Sequence, residues 1–167
     1  PGTISLGYLE KVLCLLLREG VPIRDMETIL ETLGDHAGAL KDIDIVTEYV
    51  RQALKRTITR RFAEANSLRV ITVDPKVEDT IVASVKKSEA GSYLAMDPDL
   101  IQKIVNITSG EIDKVKDVIP NIIILTSPIV RIYFKKLIDQ FIPNITVLSY
   151  SEIDNTAQIQ AIGNIAM

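Results

Sequence analysis

The sequence predicts a mixed α/β protein: an N-terminal helical lobe followed by a C-terminal α/β lobe whose small sheet is flanked by helices. Three observations lead there. Up to about residue 61, apolar residues recur at helical spacing in three stretches. From Leu68 onward the pattern becomes short β-rich runs alternating with helical ones, Leu68-Arg69-Val70-Ile71-Thr72-Val73 and the unbroken Ile122-Ile123-Ile124-Leu125 among them. Between the two patterns, Ala63-Glu64-Ala65-Asn66-Ser67 has neither period and reads as a linker. The expected lobes are therefore 1–66 and 67–167.

The helical lobe is organised around Leu15 to Leu33. Ser5 is the expected N-cap of a first helix carrying Leu6, Leu9, Val12, Leu13 and Leu16. That helix runs into Gly20, which takes a left-handed C-terminal position without steric cost. Pro22 then bars Val21 from the α region. A second helix opens at about Arg24, with Asp25 and Glu27 at its positive end, and stops at Gly34. The apolar faces Leu13/Leu16/Leu17 and Met26/Ile29/Leu30/Leu33 are expected to pack together. A loop over 34–38 holds the sole histidine, His36, which reads as solvent-exposed. A third helix starts behind Asp42 or Asp44 and ends near Arg61. Its expected buried stripe is Val46, Tyr49/Val50, Ala53/Leu54 and Thr57/Ile58, with Glu48, Arg51, Gln52, Lys55 and Arg56 outside.

In the second lobe, Asp74-Pro75 marks a strand-to-helix turn, and a helix is expected to about Lys87 before a break at Gly91-Ser92. Asp97-Pro98 starts another helix, which reaches roughly Lys116. After the strand Ile122–Leu125, Ser127-Pro128 starts a helix to about Phe141. Pro143-Asn144 turns the chain into a strand from Ile145 to Leu148, and a last extended piece covers Gln158 to Ile165.

Composition removes several classes of function. A net charge of −3 opposes a dedicated nucleic-acid binder, whose phosphate contacts need a basic excess. The basic face Arg51/Lys55/Arg56/Arg60/Arg61 raises a winged-helix reader as a rival, but Glu48 interrupts it and stacking aromatics are missing. The single cysteine, Cys14, excludes an internal disulfide and reads as a buried hydrophobe within Val12–Leu16. No ligand set has metal-like spacing, so no metal or cofactor is expected. A small α/β enzyme would use the turns at Asp74 and Ser127, where open sheets bind substrates. No glycine-rich phosphate loop precedes either turn, and no histidine in that lobe could activate Ser127, so capping is the preferred reading. No catalytic residue is assigned. No apolar run approaches the roughly 20 residues of a membrane span. The chain begins at Pro1 rather than Met and reads as a piece of something longer.

Four segments carry a resemblance: LLLREGVPIRDMETILETL (15–33), TEYVRQALKRTI (47–58), VITVDPKVED (70–79) and IPNITVLSYSEI (142–153). In this order and spacing the chain resembles the FlhA family of type III secretion export-gate proteins, in the C-terminal cytoplasmic region and on the flagellar branch. The virulence-secretion branch is the alternative. The resemblance implies a parent protein embedded in the bacterial membrane, with a cytoplasmic part of four subdomains, the last two of which are represented here. It implies a homo-oligomeric ring that receives export substrates and their chaperones, and meets the export ATPase complex and other gate proteins. The family's main chaperone cleft belongs largely to the two subdomains that are missing. The ring contact is expected on the rim charges of helices two and three, Arg24, Asp25, Glu27, Glu31, Glu48, Arg51, Lys55 and Arg56.

Overall fold

The computed structural model describes residues 4–167. They form two compact units, one of residues 4–66 with Ser151–Ala157, the other of Ser67–Tyr150 with Gln158–Met167. Residues 151–157 lie apart in sequence from the rest of the helical unit, and their partners in it are side chains about a hundred residues upstream.

The helical unit holds α1 (Leu6–Arg18), α2 (Met26–His36), α3 (Ile43–Ala53) and α4 (Lys55–Phe62). Each of the first three starts at a side-chain cap. Ser5 Oγ accepts from Tyr8 N–H at 3.1 Å, Asp25 from Thr28 N–H at 3.2 Å, and Asp42 from Asp44 N–H at 3.0 Å. Past the end of α1, Gly20 has φ of 72°. Its N–H donates to Leu17 C=O and Val21 N–H donates to Leu16 C=O, both at 3.0 Å, closing a Schellman motif that only glycine enters freely. α3 packs against α1 and α2. The core they enclose is Val12, Leu16, Val21, Ile29, Leu33, Val46, Val50, Leu54 and Ile58, none more than 1% exposed.

Several expectations for this unit need correcting. The third helix is two: α3 is closed by Leu54 (φ −88°, ψ 18°), and α4 resumes at Lys55. α2 continues through Gly34, and His36 is its last residue, half-buried and stacked on Tyr49 at 4.3 Å rather than free in a loop. Leu17 and Leu30 are 52% and 45% exposed, and Cys14, Tyr49 and Ala53 are exposed too. The inner stripes are narrower than the apolar content suggested. One residue per turn, Val12/Leu16 on α1 and Ile29/Leu33 on α2, is fully buried, and the neighbouring leucines reach water.

The α/β unit is built on a four-stranded parallel sheet of β1 (Ser67–Val73), β4 (Ile123–Thr126), β5 (Thr146–Ser149) and β6 (Gln158–Ile165), in the order β5-β4-β1-β6. All four residues of β4 are buried, as its unbroken apolar run predicts for a central strand. α5 (Pro75–Ala83), α6 (Pro98–Val115) and α7 (Pro128–Asp139) each begin with proline in the first turn. The main core joins Ile71, Val77, Ile81, Ile104, Ile124, Phe134 and Val147. Between Val70 and Ile71 the β1–β6 ladder shifts register, and Gly163 lies in that region opposite Ile71. A Cβ there would come within 2.9 Å of Glu111 Oε2, so the side chain of α6 would have to move.

Here too the chain departs from expectation. α5 stops at Ala83 instead of Lys87, and an antiparallel hairpin follows, β2 (Val85–Ser88) with β3 (Gly91–Leu94). Ser84 closes the helix, its N–H bonding Ile81 C=O at 3.0 Å and its hydroxyl bonding Thr80 C=O at 2.9 Å. Gly91, at φ 125°, opens the returning strand.

Candidate docking surface

α2 presents the charged rim that the sequence predicts. Arg24, Asp25, Glu27 and Glu31 are all exposed, and Leu30 lies exposed among them. Asp25 is fixed in place by its capping role. Its Oδ2 accepts from the Thr28 hydroxyl at 2.7 Å and its Oδ1 from Thr28 N–H. Those two bonds, side-chain first, hold its carboxyl below the ordinary carboxylate value. In the first turn of α4, Lys55 and Arg56 are exposed and supply the basic counterpart. A groove of about 420 Å³ runs along the outer face of α1, lined by Glu10, Cys14 and Arg18 with Ile43 and Asp44 of α3.

Glu48 and Arg51 do not share that surface. Glu48 is 7% exposed and Arg51 only 1%. Arg51 forms a bidentate pair with Glu152, from Nε at 3.0 and 3.1 Å and from Nη2 at 2.8 Å, with both side chains 1% exposed. Its Nη1 lies 3.6 Å from Glu19, the C-cap residue of α1. Helical periodicity places Arg51 outside because the acid that draws it inward stands 101 residues away in sequence. Reversing charge at Arg51 would therefore break this buried pair and could not report on a surface contact. Glu152 was legible only as part of the motif Leu-Ser-x-x-Glu-Ile; no local signal announced its role.

In the α/β unit, Asp74 caps α5 as expected, accepting from Lys76 N–H at 2.9 Å. Ser127 behaves differently. Its side chain does not cap α7. Its N–H donates to Glu78 Oε2 at 3.1 Å, and its hydroxyl donates to the same oxygen. The carboxylate of α5 thus stands at the positive N-terminus of α7, where an open sheet would otherwise receive an anion. Sequence reasoning missed Glu78, whose partner is 49 residues away. Among the described residues no cluster of histidine, cysteine and acidic side chains could hold a metal ion, and no helix is long and apolar enough to cross a membrane.

The chain is similar to known proteins over nearly its whole length. It is 40% identical over 164 residues, 98% of its length, to the flagellar biosynthesis protein FlhA of Bacillus subtilis, of which it spans 24%. The solved structure of the Chlamydia pneumoniae CdsV protein matches 98% of the chain with a TM-score of 0.89 at 36% identity, over 47% of the solved chain. The nonameric EscV cytosolic domain from the type III secretion system matches 99% with a TM-score of 0.80 at 30% identity, over 49% of its chain. The chain therefore spans about a quarter of the length of its curated relative. The model of the FHIPEP family matches residues 1–158, so this chain, with its helical unit and parallel-sheet unit, belongs to the FHIPEP family.

Proposed function

We propose that this chain is a docking and ring-forming part of a flagellar type III protein export gate, standing on the cytoplasmic side of the bacterial membrane to which its parent protein is anchored. It acts by binding rather than by catalysis. The observation that carries this is the exposed, two-sign rim of the helical unit, acidic on α2 at Asp25, Glu27 and Glu31 and basic on α4 at Lys55 and Arg56, in a fold shared with a domain solved as a nonamer. A head-to-tail ring requires two different, complementary patches per protomer. The flagellar branch is favoured because the flagellar relative has the higher identity. Export substrates, their chaperones, the export ATPase complex and other gate proteins are the partners such a ring would meet. The filled N-terminus of α7 supports a non-catalytic role, since the usual substrate position of an open sheet is taken by Glu78.

Exposed ion pairs each contribute about 0–1 kcal/mol, so this chain alone should be monomeric in dilute solution, with ring closure dependent on the high local concentration that anchoring provides. The test is made in the full-length protein of a motile bacterium. Glu27→Lys with Glu31→Lys should impair swimming, and so should Lys55→Glu with Arg56→Glu, each without changing the melting temperature of the isolated chain. Combining all four should restore swimming in part. Normal motility in both double variants would remove the rim from the ring contact.

A further inference from the structure

We propose that residues 151–157 are a strap that makes the fold of the helical unit conditional on the α/β unit. The chain leaves β5 at Ser149, turns through a 3₁₀ segment at Tyr150–Glu152, and re-enters the sheet at Gln158. Between those points it belongs to the helical unit. Glu152 is fully buried and holds Arg51 of α3 through both carboxylate oxygens. The hydroxyl of Thr59, in α4, donates to Glu152 C=O at 3.4 Å and accepts from Asp154 N–H at 2.9 Å. Ile153 is 8% exposed. The strap thus grips two helices, and the Arg51 guanidinium also approaches Glu19 at the end of α1.

Two physical facts turn this contact into a dependence. Arginine cannot shed its proton in a protein, so Arg51 without Glu152 would be a buried cation that has lost its bidentate partner, with the partly exposed Glu19 at 3.6 Å. Both ends of the strap are set by the sheet: β5 pairs with β4, and β6 pairs with β1 starting at Ser67↔Gln158. Until those strands are paired, closing the loop between Arg51 and Glu152 spans 101 residues, a higher entropic cost than once Ser67 is paired with Gln158. Sheet formation therefore presents the strap, and the strap completes the helical unit.

Hydrogen exchange of the whole chain, read separately for peptides of α3 and of β4, tests this. In the wild type both should become exposed with the same denaturant dependence. Glu152→Gln, and separately replacement of 151–157 by a Gly/Ser loop of equal length, should speed exchange in α3 about tenfold or more while β4 keeps its protection. Arg51→Met combined with Glu152→Leu should return α3 most of the way, because a buried pair replaced by apolar groups of similar volume leaves no stranded charge. Unchanged exchange in α3, equal loss in α3 and β4, or no recovery in the apolar double variant would each overturn the strap.

Discussion

Ile29 and Leu30 are neighbours on α2 with opposite fates, the first 0% exposed and the second 45%. Truncating Ile29 to alanine should cost about 2–5 kcal/mol in urea unfolding, because the surrounding core cannot fully close the cavity. Leu30→Asp should change stability by less than about 1 kcal/mol, as is usual for surface substitutions. Sequence spacing puts both on the inner face, and the reverse ranking would show that it places them better than the fold does. Asp25 makes a second prediction at this scale. Its carboxyl is held below the ordinary value by Thr28. A carboxyl whose pKa is lower folded than unfolded contributes stability above its unfolded pKa, and that stability is lost as pH falls through the folded one. Acidification from about pH 5 to pH 3 should therefore destabilise the wild type more than Asp25→Ala, the midpoint of urea unfolding being the measurement. Equal acid sensitivity in the two proteins would mean that the cap does not discriminate between its protonation states.

Among the elements, helix starts are the most legible because they are local. Ser5, Asp25, Asp42, Asp74 and Asp97 each bond a backbone N–H two or three residues on, within reach of any reading of the sequence. Helix ends were less so: Gly34 sits inside α2, Leu54 interrupts what looked like one helix, and α5 gives way to a hairpin. α4 and α7 start without a side-chain cap, and the terminus of α7 is satisfied from α5. Glu78→Gln keeps the shape of that side chain but weakens two charge-assisted bonds, and should cost about 1–3 kcal/mol in urea unfolding. Ser127→Ala should cost less, because the backbone N–H of Ser127 still reaches Glu78. If Glu78→Gln leaves the midpoint unmoved, the terminus of α7 is satisfied by solvent.

At the scale of the molecule, the linker at Ala65 and Asn66 is exposed and left-handed, with φ of 49° and 59°. Limited proteolysis should cut there first. The two pieces should then elute together, because the strap carried by the C-terminal piece belongs to the helical unit. Separation of the pieces without denaturant would count against that membership.

The sequence by itself determined the α/β class, the buried central strand, the caps at Ser5, Asp74 and Asp97, and the family. Each of these depends on neighbours a few residues apart or on an ordered motif. Only the tertiary structure decided that Arg51 and Glu48 lie inside, that Glu78 fills the terminus of α7, and that 151–157 belongs to the first unit. The reason is one of range. A helical period reports which residues prefer water, but a charged side chain follows its partner, and the partner of Arg51 is 101 residues away.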